Sequence, residues 1–250
     1  MKFLKKIPWE IYFGTGLILL SGALYIVHYE IFHDPHHIFI YFMGDLAFVP
    51  IEVLFVTLII EKLLKDRERR AVMEKLNMVI GTFFSEIGYE LLKFFSVKGS
   101  ISDDLRRRLI ITSETAAKDF SRIAVELKKM KFKLDCDITD LEKMKNILTG
   151  NQSFLLALME NPNLLEHSRF TSLLLAVFHL NEELQARAVL SDIGSADFAH
   201  ITGDMERVYT ALLAEWLEYM DYLRKNYPFL YSFAVRTNPF NPDARAEVQG

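Results

Sequence analysis

The 250-residue chain is 51 % apolar, with a formal net charge of −4 and a pI near 6.0, a balance that gives no support to nucleic-acid binding. Its single cysteine, Cys136, excludes an intrachain disulfide and a cysteine-based zinc site, which suits a reducing compartment. The apolar residues are unevenly spread, with two long runs near the N-terminus.

The first run, Ile11 to Tyr29, has only tyrosines and His28 as titratable side chains and reads as a membrane span. It is not expected to be a cleaved signal peptide. It ends in Tyr29-Glu30-Ile31-Phe32 rather than a small-residue cleavage site, and a second apolar run follows at once. That run, Ile38 to Ile60, would cover roughly 34 Å as a helix, slightly more than a hydrocarbon core of about 30 Å. Only Glu30 to His37 separates the two, and Pro35 disfavours helical geometry at Asp34, so a tight antiparallel hairpin is expected.

Basic residues set the expected orientation. Lys2, Lys5 and Lys6 precede the first span, and Lys62, Lys65, Arg67, Arg69 and Arg70 follow the second, while the turn has neither Lys nor Arg. Both termini are therefore expected on the cytoplasmic side of the cytoplasmic (inner) membrane. Trp9, Tyr12 and Tyr29 fall where amphipathic rings favour the headgroup zone.

Beyond Glu61–Arg70, a charged stretch of mixed sign, an apolar stripe resumes at Val72, Leu76, Val79, Ile80, Phe83, Ile87, Leu91 and Phe94, so one helix is expected from about His37 to Phe95. Ser102 with Asp103 and Asp104 reads as the cap of a helix running towards Met130, with Ser113 as a candidate interruption. Helices are expected over Thr139–Leu148 and Gln152–Glu160, then on the stripes from Phe170 to Leu184 and from Met205 to Leu223. After Tyr227, Pro228, Pro239 and Pro242 predict an irregular or extended segment with a docked apolar portion. The expected fold is thus all-α: a two-span transmembrane hairpin over 1–62 (spans about 11–29 and 38–60), a cytoplasmic helical bundle over 63–232, and an irregular tail over 233–250.

Asp45 and Glu52 are the outstanding pair. At ~100° per residue, Glu52 returns to within about 20° of Asp45, so both acids share one face of the second span. One reading has them bonded within the hairpin, with Ser21 and Tyr25 as hydroxyl donors. A second has several hairpins assembling so that the acids form stacked rings along a cation pathway, and a third covers a proton relay, a lipid-headgroup contact or a register that leaves Glu52 near the inner interface. Small residues in the first span, Gly14, Gly16, Ser21, Gly22 and Ala23, permit close approach of another helix. Pro50 frees the carbonyl of Leu46 between the acids, giving a bend or hinge.

An outer cluster, His28, His33, Asp34, His36 and His37 beside Glu30, could hold a divalent metal or sense pH, although histidines also suit a headgroup interface. In the helical domain, His179 with Glu183 and His200 with Asp204 are i,i+4 pairs with Glu182 and Glu206 nearby. They lack the Glu-x-x-His pattern of di-metal bundles and read as surface pairs and helix caps. Gly44-Asp45 has no aspartate on the first span to pair with, which excludes a membrane aspartyl protease. Neither the potassium-channel filter nor the Gly-Met-Asn of two-span magnesium channels stands between the spans.

The functional expectation is an oligomeric, non-enzymatic membrane protein whose Asp45 and Glu52 line a cation-conducting or cation-binding pathway. The alternative is a membrane-anchored interaction or sensor module without transport. The expected partners are lipid, further copies of the chain and a cytoplasmic protein, not nucleic acid.

Overall fold

A computed structural model of the protein describes residues 9–127 and 130–248. Among these residues the fold is helical throughout, the nearest approach to a sheet being one isolated bridge between Gly99 and Leu134. Contacts divide the chain into two units, one ending at Glu68 and one beginning at Arg69.

The first unit contains α1 (Trp9–Phe32) and the first part of α2 (Pro35–Phe83). Both are long and apolar enough to cross a membrane by length and composition. Helix α1 buries none of its side chains, and α2 buries none before Leu76. Among the described residues the two helices thus cover little of each other's surface. A Cβ added at Gly14, Gly16, Gly22 or Gly44 would meet nothing within 4 Å, so the small residues do not serve a close approach inside the chain. The turn between the helices is made by His33, held at φ 52°, and by Asp34, whose Oδ1 accepts the backbone N–H groups of His36 and His37 as the cap of α2.

The second unit holds all the buried side chains of the described residues, from Leu76 to Phe240. The anticipated continuous helix to Phe95 forms, with a π-turn at Phe84–Gly88 between α2 and α3 (Tyr89–Lys98). There the Tyr89 N–H reaches back to the Phe84 carbonyl, and the extra residue turns the stripe so that Phe83, Phe84, Leu91 and Leu92 all reach the core.

Ser102 caps α4 (Asp103–Leu109) through the Leu105 N–H, as expected, yet the helix stops well short of Met130. Thr112 and Thr115 close a turn there, and Asp119 accepts from the Ala116 N–H to start α5 (Ala117–Leu127). A capping box between Asp137 and Asp140 opens α6 (Ile138–Gly150), and α7 (Gln152–Met159) follows. The two strong stripes become α8 (Ser168–Ala186) and α9 (Ser195–Asn226), which pack along each other. Helix α9 is the centre of the bundle, presenting Met205, Val208, Leu212, Trp216 and Met220 to α3, α5, α8 and α10.

The segment after Tyr227 is not irregular at first. Pro228 sits at the start of α10 (Pro228–Arg236), where a missing N–H costs nothing and a fixed φ favours the helix. Past its end Asn238 and Phe240 are still buried, with Phe240 against Trp216, so the domain's core extends beyond the boundary expected at 232. Gly99 is required by close packing: a Cβ there would lie 2.7 Å from the Phe95 carbonyl oxygen and 2.7 Å from Cε1 of Tyr209.

Candidate functional site

Asp45 and Glu52 both lie on α2 and are exposed, as are Ser21 and Tyr25 on α1. Among the described residues neither acid receives a hydrogen bond from Ser21 or Tyr25. Tyr25 instead lines an apolar recess of about 300 Å³ with Pro35, Ile38, Phe39 and Phe42.

Of the outer cluster, the structure brings together His28 and His37, whose rings stack with centroids 6.0 Å apart. His33 lies against Tyr29, and the Asp34 carboxylate is taken up by helix capping. These five side chains do not converge on one point.

Convergence occurs between α8 and α9. His179 and Glu183 stand one turn apart on α8, His200 and Asp204 one turn apart on α9, and the packing of the two helices closes them into a ring. His179 Nε2 is 3.5 Å from Asp204 Oδ2 and 4.0 Å from Glu183 Oε1. His200 Nε2 is 3.6 Å from the same Asp204 oxygen and 3.7 Å from Glu183 Oε2. Each imidazole thus faces both carboxylates. Two arginines hold the acids from outside: Arg207 donates to Asp204 Oδ1 at 2.6 Å, and Arg187 donates to Glu183 Oε2 at 2.8 Å and to both oxygens of Asp197. The Arg187 hydrogen bond holds the Glu183 carboxyl below its usual range. The Asp204 side chain is only 3 % exposed, and its Oδ2 has no hydrogen-bond donor.

A second buried pair was invisible in the sequence. His167 Nδ1 accepts the Phe170 N–H as the cap of α8, which turns Nε2 towards Glu215 on α9. Burial raises the Glu215 carboxyl to about 7, with Arg169 opposing, and burial and then Arg169 lower the His167 imidazole. A cleft of about 820 Å³ also opens between α3, α6 and the segment after α10. It carries Lys93, Lys143, Arg245 and the Lys98–Asp140 ion pair.

The class defined here is an all-helical protein with two apolar N-terminal helices and a separate helical domain whose charged side chains converge between α8 and α9. Residues 5–64 match the family described as "MJ1433, N-terminal helical domain", and residues 72–236 match "Uncharacterized protein MJ1433, C-terminal helical domain". The chain is 48 % identical over 229 residues, 90 % of either protein, to "Uncharacterized protein MJ1433" of Methanocaldococcus jannaschii. The chain belongs to the MJ1433 family. No solved structure matches it.

Proposed function

We propose that the chain is a non-enzymatic, membrane-anchored helical module: α1 and the first part of α2 lie in lipid, and the domain from Arg69 onward binds a partner or ligand on the cytoplasmic side. One observation carries this reading. The apolar helices bury none of their side chains up to Arg70, although at roughly 1.5–3 kcal/mol for each large side chain the chain would gain by covering them. Lipid covers such a surface without any further fold.

The second reading, a cation pathway through an oligomer, is favoured by Asp45 and Glu52. At ~0.3–0.6 kcal/mol each, the Leu, Ile, Phe and Val side chains of Ile38–Ile60 favour insertion by roughly 5–9 kcal/mol, while two central acids oppose it by about 5–7 kcal/mol. The two nearly cancel. Insertion of α2 is thus helped by α1 entering with it and by other copies covering the acids, and the unused glycines of α1 offer a surface for such contact.

Liposomes containing the purified chain separate the readings. The anchored module predicts no cation flux at any pH or voltage. Flux that falls, or changes selectivity, in Asp45→Asn or Glu52→Gln with assembly intact would replace it by the pathway.

A further inference from the structure

We propose that His179, Glu183, His200 and Asp204 form a mononuclear site for a first-row divalent transition metal such as Zn²⁺, bound between α8 and α9. The site stands independently of the membrane reading, because all four residues lie within the second unit.

Three observations carry it. The first is spacing. Tetrahedral zinc with bonds of about 2.0–2.1 Å puts neighbouring donor atoms about 3.3–3.4 Å apart. Both Nε2 atoms lie near that spacing from one oxygen, Asp204 Oδ2, at 3.5 and 3.6 Å, while Glu183 meets them through different oxygens, Oε1 at 4.0 Å from His179 and Oε2 at 3.7 Å from His200. Among the described residues no group of three or more His, Cys, Asp or Glu side chains stands ready to hold a metal ion. Binding requires the side chains to draw together around the ion, with Glu183 turning a single oxygen towards both imidazoles.

The second is Asp204. Its Oδ2 is buried, has no hydrogen-bond donor, and is aimed at both Nε2 atoms from distances too long for hydrogen bonds. A buried carboxylate oxygen without a donor is costly. A cation between the four groups would satisfy it and both imidazole nitrogens at once.

The third is the surrounding support. Arg207 fixes the remaining oxygen of Asp204, and Arg187, anchored on Asp197, fixes Glu183, in the way outer hydrogen bonds orient metal-binding carboxylates. Glu183, Asp197 and Asp204 against Arg187 and Arg207 leave the surroundings one charge negative before a cation arrives. His179 and His200 are about half exposed, which gives the ion a route in from solvent. Two imidazoles and two carboxylates suit zinc, iron or nickel better than calcium or magnesium, which prefer oxygen alone.

The test is calorimetric titration of the full chain, stripped by a chelator, with ZnCl₂, together with the visible spectrum of the Co²⁺ form. One ion per chain is expected, with intense Co²⁺ bands of a four-coordinate site. His179→Gln and His200→Gln should each weaken binding by about 100-fold or more, and Arg207→Gln by about 10-fold. A double variant of the outer histidines, His36→Gln with His37→Gln, should bind as the parent does. X-ray absorption of the zinc-loaded parent chain, which needs no variant to fold, should give nitrogen and oxygen donors with imidazole scattering. No saturable binding, binding unaltered in the α8 and α9 variants, or binding lost in the outer-histidine variant would overturn the assignment.

Discussion

His167 Nε2 lies 3.6 Å from Glu215 Oε1 in the core between α8 and α9, an imidazole and a carboxyl held apart from water yet not hydrogen-bonded to each other. With Glu215 raised from 4.5 to about 7, the folded state holds a proton that the unfolded state releases over that interval. Stability from this group is complete below pH 4.5, falls as pH rises towards 7 and levels off above it, by at most roughly 3 kcal/mol. His167, lowered by burial, acts in the opposite sense below its ordinary value, since unfolding lets it take up a proton. The difference between Glu215→Gln and the parent isolates the first effect. Denaturant midpoints should show the variant gaining on the parent between pH 5 and 7 and holding a constant lead above pH 7.5.

Gly99→Ala tests the close approach of α3 to α9. The new methyl must gain room from both the Phe95 carbonyl and the Tyr209 ring, each 2.7 Å away, and the ring is itself stacked on Phe95. A loss of about 1–3 kcal/mol is expected in urea unfolding. By contrast Gly150→Ala, where a Cβ meets nothing within 4 Å, should cost no stability.

The C-terminal segment is tied to the turn after α4 by two hydrogen bonds, and they should differ in weight. Tyr231 donates to the Thr112 carbonyl at 2.9 Å, and its loss in Tyr231→Phe should cost about 1 kcal/mol. The fully buried Asn238 donates to the Leu109 carbonyl at 2.8 Å and accepts the Phe240 N–H at 2.9 Å. Asn238→Leu strands the Phe240 N–H, while the Leu109 carbonyl keeps the Ile111 N–H, and it should cost more, about 1–3 kcal/mol for the group left unsatisfied. Thermal unfolding of the two variants side by side checks the order.

The helices were legible wherever a single stripe faced a single core, as in α8 and α9. Less legible were features decided by contacts distant in sequence. The turn at Ile110–Ala116 interrupts an acceptable helical pattern because Thr112 answers to Tyr231 across the fold, and only Ser113 hinted at it. Pro228 breaks a helical pattern when taken by its residue type alone, yet it stands at a helix start, where proline is favoured, so the signal lies in its position. The pairs His179–Glu183 and His200–Asp204 were visible one helix at a time. Their convergence depends on the axial register of α8 against α9, which no spacing within either helix specifies, and the His167–Glu215 contact depends on the same register.

Cys136 is half-buried, and burial, followed by the charge of Asp140, pushes its thiol up to about 12. It should alkylate at least ten times more slowly at pH 7.5 than an exposed cysteine placed at Ser191, measured as maleimide incorporation in the folded chain. Cys136 is accordingly an unsuitable reporter of which side of a membrane the domain occupies.

The membrane-anchored reading is tested most directly by placing single cysteines at His33 and Ser191 in a Cys136→Ala background and labelling intact cells with an impermeant maleimide. The cysteine at His33 should label from outside, and the one at Ser191 only after permeabilisation, with both chains remaining in the membrane pellet after alkaline carbonate. Labelling at Ser191 in intact cells, or release of the chain into the carbonate supernatant, would contradict it.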